Sequence, residues 1–106
     1  MQNITRHPNY AEVHTLLRII EEHGCTALAF YDGAEYMEPT VENILSVDDG
    51  TLSVETPSPG WRLGPPRRIG FLLVYGNEPG EMISDYTDCP EADDIAVEWG
   101  QIHPLR

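Results

Sequence analysis

Lysine is missing from all 106 positions, and six arginines stand against 18 aspartates and glutamates. The formal net charge is −12. Between Arg68 and Arg106 the only basic residue is His103, while Glu78, Glu81, Asp85, Asp88, Glu91, Asp93, Asp94 and Glu98 fall within 21 positions. A field of this sign repels nucleic-acid phosphates and anionic lipid headgroups. Direct nucleic-acid binding and attachment to a membrane surface are therefore excluded for most of this surface. Without a glycine-rich turn ending in lysine there is no phosphate cradle.

Cysteine is scarce as well. Cys25 and Cys89 are too few for a disulfide framework. The segment Met1–Arg6 lacks the charged-then-apolar pattern of a secretory leader, so both thiols are expected to be reduced in a cytoplasmic protein. His7, His14, His23 and His103 show no His-x-x-x-His spacing, and Cys-x-x-Cys is absent, which argues against zinc. The acidic run near Asp88 lacks the alternating ligand order of a calcium loop. No metal and no cofactor are expected. No apolar run reaches 18 residues, so no membrane span is expected.

What remains is a chain with 41% apolar residues, enough for one small core and too apolar for a disordered acidic tail. A single domain over 1–106 is expected. Asn9 and Glu12 have the spacing of a capping box, and Val13, Leu16, Leu17 and Ile20 form one stripe, so a helix is predicted over 9–23. Thr26 to Tyr31 reads as a strand. Asp32-Gly33 suggests a type I′ hairpin turn, with Ala34 to Glu38 returning. Thr40 caps a short helix that carries Val41, Ile44 and Leu45, and Asp48-Asp49-Gly50 reads as its end. Thr51 to Glu55 alternates like a half-buried strand. Four prolines and two glycines make 57–66 irregular. Ile69 to Tyr75, the most apolar run, is expected to be the central strand, and Glu81 to Tyr86 a further one. Pro90 opens a last helix with Ala92, Ile95, Ala96 and Trp99 on one face, and Gly100 reads as its stop. The order α-β-β-α-β-β-β-α, with short turns between strands, predicts an α+β two-layer domain. Its mostly antiparallel sheet has about five strands, and helices cover one face.

Val74-Tyr75-Gly76-Asn77-Glu78-Pro79-Gly80-Glu81 and the following Ile83-Ser84-Asp85-Tyr86-Thr87-Asp88 resemble segments of short acidic proteins encoded by bacterial phages and integrated mobile elements. Phe30-Tyr31-Asp32-Gly33-Ala34-Glu35-Tyr36 and Ser46-Val47-Asp48-Asp49-Gly50-Thr51-Leu52 are similar to the same group, which brings the resemblance to roughly residues 10–90. The resemblance implies a setting; it assigns no activity and no site residues.

No catalytic motif stands out. With 18 acids, any carboxylate pair could meet, so acid–base chemistry has no specific signal. A Cys25–histidine pair competes with the simpler reading of Cys25 as a core residue. Cys89, before a helix start, has surrounding carboxylates that oppose a lowered pKa. The leading expectation is a non-enzymatic interaction protein. Its acidic residues Glu78, Glu81, Asp85, Asp88, Glu91, Asp93 and Asp94 dock a basic protein, one that itself binds nucleic acid. Trp61, Arg62, Arg67 and Arg68 form a possible second patch, which recognises an acidic partner or simply pairs with nearby acids. The alternative is a small ligand-binding domain or enzyme with a pocket between helices and sheet, near Trp61, Tyr31 and Tyr75. The oligomeric state is left open.

Overall fold

The computed structural model describes residues 9–47, 49–57, 65–74 and 82–103. Three helices and five strands follow in the order α1 (Tyr10–Glu22), β1 (Thr26–Tyr31), β2 (Tyr36–Met37), α2 (Val41–Leu45), β3 (Asp49–Glu55), β4 (Arg68–Val74), β5 (Ile83–Tyr86) and α3 (Pro90–Ile102). All strand pairs are antiparallel, in the spatial order β2-β1-β3-β4-β5. This is a small α+β domain.

The strands alternate between a covered and an uncovered face. In β3, Gly50, Leu52 and Val54 are buried; in β4, Ile69, Phe71 and Leu73 are buried. They pack with Val13, Leu16, Ile19 and Ile20 of α1, Ile44 of α2, and Ala92, Ile95 and Trp99 of α3. Side chains of opposite parity in the sheet face away from this core. The Trp99 indole N–H is satisfied inside it, donating to the Glu12 carbonyl oxygen at 2.9 Å.

Several local expectations are corrected. Asn9 makes no side-chain cap bond; its Nδ2 instead donates to Glu12 Oε1 at 3.2 Å, and Oε2 of that buried carboxylate has no hydrogen-bond partner. The 32–35 turn is not type I′, because only Gly33 has positive φ, at 101°. Its hold is the Asp32 carboxylate, which accepts the N–H groups of Ala34 and Glu35, both at 2.8 Å. That wider loop shortens the return strand to two residues. Asp49 and Gly50 do not end α2; they begin β3. The middle of the sheet is β3, with β4 beside it, so the most apolar run is an inner strand but not the central one. Gly100 does not stop α3, which continues to Ile102. Thr40 does cap α2, with its hydroxyl accepting the Asn43 N–H at 3.2 Å.

Candidate functional site

Of the acidic residues of the last third that the structure describes, Asp85 lies on β5, Asp88 in the 87–89 link, Glu91, Asp93 and Asp94 near the start of α3, and Glu98 further along it. Pairing of β5 with β4 sets Tyr86 beside Phe71 and Asp85 beside Leu72, with a register shift next to Leu73 and Ile83. Tyr86 therefore packs on the covered side, its ring 6.3 Å from that of Phe71, while Asp85 belongs to the uncovered side. Pro90 occupies the first turn of α3, where a missing N–H costs no hydrogen bond. Glu91 and Asp93 follow at the positive end of the helix dipole.

Three of these carboxylates act on one group. The Tyr86 hydroxyl donates to Asp93 Oδ1 at 3.0 Å. Its phenol is held above its ordinary pKa by that bond first, then by burial, then by the charges of Asp93, Asp88 and Asp85. Sharing a target gathers Asp85, Asp88 and Asp93 about Tyr86, and Asp94 is exposed next to them.

Glu91 stands apart. Nη2 of Arg67 lies 2.5 and 2.6 Å from its two oxygens. The Glu91 carboxyl is held below its ordinary pKa by its own backbone N–H first; burial is the next largest effect and opposes this, while the Cys89 thiol and the Arg67 guanidinium add to the lowering. The ion pairs among the described residues are Arg18–Glu22, His23–Glu98 and Arg67–Glu91, so none engages Asp85, Asp88, Asp93 or Asp94. The expected strip is thus divided: Glu91 is neutralised, and the four aspartates are not. Glu78 and Glu81 lie outside the described residues.

Of the second patch, the structure describes Arg67 and Arg68. Arg67 is committed to Glu91, and Arg68 faces Glu55 across the β3–β4 register. Trp61 and Arg62 lie outside the described residues. Of the residues expected to line a pocket between helices and sheet, the structure describes Tyr31, which lies on the face away from the helices. Tyr31 alternates with buried Phe30, and its ring is tilted 40° against that of Tyr36 with centroids 4.7 Å apart; Tyr75 lies outside the described residues. Cys25 is buried, and burial first, then Glu91 and Cys89, push its thiol up. Its sulfur points to the His23 carbonyl oxygen, 4.0 Å away, and not to an imidazole. Among the described residues no group of three or more His, Cys, Asp and Glu is placed to hold a metal ion, and no helix is long and apolar enough to cross a membrane.

Sequence reasoning missed Tyr86 as a site residue. The string Asp85-Tyr86-Thr87-Asp88, with a phenol between two acids, was the available signal. A folded-state pKa raised above the unfolded value contributes stability below pH 10 that is lost as pH rises further. Tyrosinate absorbance, compared between wild type and Tyr86→Phe, should therefore show one phenol titrating above pH 10. Asp93→Asn should return it toward that value; an unchanged titration would refute the gathering of charge at Tyr86.

Compared with protein-family models, curated proteins and solved structures, the chain matches none.

Proposed function

We propose that this chain is a non-enzymatic docking protein that binds a basic protein partner, one that itself binds nucleic acid, through Asp85, Asp88, Asp93 and Asp94. The observation that carries this reading is that the Tyr86 phenol bonds Asp93 and feels the charges of Asp93, Asp88 and Asp85, while among the described residues Glu91, and none of these aspartates, is taken by an arginine. The whole-chain charge of −12 without a lysine supports it. A negative patch of this kind speeds encounter with a positive surface and suppresses acidic partners. It also competes directly with phosphates for the same arginines and lysines.

Binding to protamine, used as a basic probe, tests the reading. Over the range in which the Debye length shrinks from about 30 to 10 Å, affinity should fall by about tenfold or more. Duplex DNA should displace the protein from the probe. Binding that ignores both salt and DNA would sink the proposal.

A further inference from the structure

Helices cover one face of the sheet, and no described element covers the other. Across it the register aligns a row of side chains from five strands: Tyr36, Tyr31, Thr51, Leu72 and Asp85. Tyr36 is 71% exposed and Leu72 39%. Beside the Leu72 end lies a depression of about 300 Å³ whose lining includes Thr51, Gly70, Leu72, Asp85 and Thr87. Its wall is fixed by two bonds: the Gly70 N–H donates to the Thr87 hydroxyl at 2.9 Å, and the Thr87 N–H to the Gly70 carbonyl at 3.0 Å.

Gly70 is the telling residue. Glycine inside a strand weakens it by roughly 0.5–1 kcal/mol relative to alanine. Among the described residues nothing requires it here. Its φ is not positive, and an added Cβ would meet Thr51 Cγ2 at 3.5 Å, an ordinary contact. A glycine inside a strand is a common mark of a bulge, a bend or a close approach by a ligand or another backbone, and the β4–β5 register shift falls past it, between Leu72 and Leu73.

We propose that the uncovered face is the seat of an extended, arginine-bearing segment of the basic partner, with one arginine stem lying over Gly70 and Leu72 and its guanidinium pairing with Asp85. This rests on the docking reading above and specifies the partner's chemistry. Charge complementarity selects the occupant. Among the described residues, Asp85, Asp49 and Glu55 border the face, with Arg68 beside Glu55 at its far end. Arginine fits better than lysine, since its planar head pairs with a carboxylate and also stacks on rings. Asp85 and Tyr31 are three strand steps apart, or about 14 Å, which an extended chain spans in about four residues. A second arginine four positions along therefore reaches the Tyr31–Tyr36 pair.

The test uses a short synthetic peptide of alternating arginine and threonine, with affinity read by fluorescence anisotropy. Gly70→Val fills the depression without altering charge and suits a strand. It should weaken binding by about tenfold while leaving the salt dependence unchanged. Gly70→Ala, which fits at ordinary contact distance, should weaken it in the same direction, and its unfolding temperature should not fall. Tyr36→Leu should cost about threefold. If both Gly70 variants bind like wild type while Asp88→Asn/Asp93→Asn loses binding, the acidic strip stands and the seat is overturned. If wild type does not bind the peptide at all, both readings fall.

Discussion

Alanine at position 50 should cost the domain about 3 kcal/mol or more, although it adds a single methyl group. Gly50 is buried in β3 opposite Leu73, and its neighbours on β1 leave no space for a Cβ. That atom would lie 2.6 Å from the Tyr31 carbonyl oxygen and 2.8 Å from Phe30 Cε2, and still closer to Phe30 Cζ. The carbonyl cannot withdraw without breaking the Phe30–Leu52 and Tyr31–Thr51 pairing. The ring cannot turn aside, because Phe30 is fully buried. Overpacking a core by repacking side chains costs about 1–3 kcal/mol, and here backbone must move as well. For a domain of this size each kcal/mol lowers the unfolding temperature by roughly 4–8 °C. Circular dichroism should therefore record a fall of about 12 °C or more, or no folded state at 25 °C. Gly70→Ala is the internal control, since the same substitution on the opposite face meets only ordinary contacts. Wild-type stability in Gly50→Ala would mean that β1 and β3 do not pack as described.

The same residue shows where the sequence was legible and where it was not. The amphipathic stripes of α1 and α3, the strand 26–31 and the Thr40 cap were readable because each rests on local chemistry. Asp48-Asp49-Gly50 looked like a turn for the same reason: glycine after aspartate is locally a chain-reversal signal. The actual cause of Gly50 is the Phe30 ring, twenty positions away and on another strand, which no local pattern reports. Asp32-Gly33 misled in a milder way. The turn was real, but the Asp32 carboxylate bonds the Ala34 and Glu35 amides and so builds a longer loop than the dipeptide suggests. The candidate site followed the same rule. The abundance of acid in the last third was plain in the composition. The pairing of Glu91 with an arginine, alone of these acids among the described residues, depends on Arg67, which reaches it from 24 positions upstream. Gly70 and the uncovered face emerged only once register aligned five strands.

That pairing makes the largest binding prediction specific. Replacing Asp85, Asp88, Asp93 and Asp94 with lysine changes the charge by two at each position, from −12 to −4 in total. Each exposed pair with a basic partner contributes about 0.2–1 kcal/mol, and reversal adds repulsion of similar size. The summed change is about 2–8 kcal/mol, so protamine binding should fall by at least about thirtyfold. Folding should survive. Lysines at 93 and 94 oppose the α3 dipole by about 0.3–1 kcal/mol each, while relief of self-repulsion works the other way. The decisive comparison is Arg67→Gln/Glu91→Gln, which removes one charge of each sign and leaves the net charge at −12. Because that pair is already neutral toward a partner, binding should stay within about twofold of wild type. Were the double variant to lose as much affinity as Asp88→Asn, the partner would have to contact the Arg67–Glu91 pair itself. The recognition surface would then lie at the β4–α3 junction, and not along the aspartates around Tyr86.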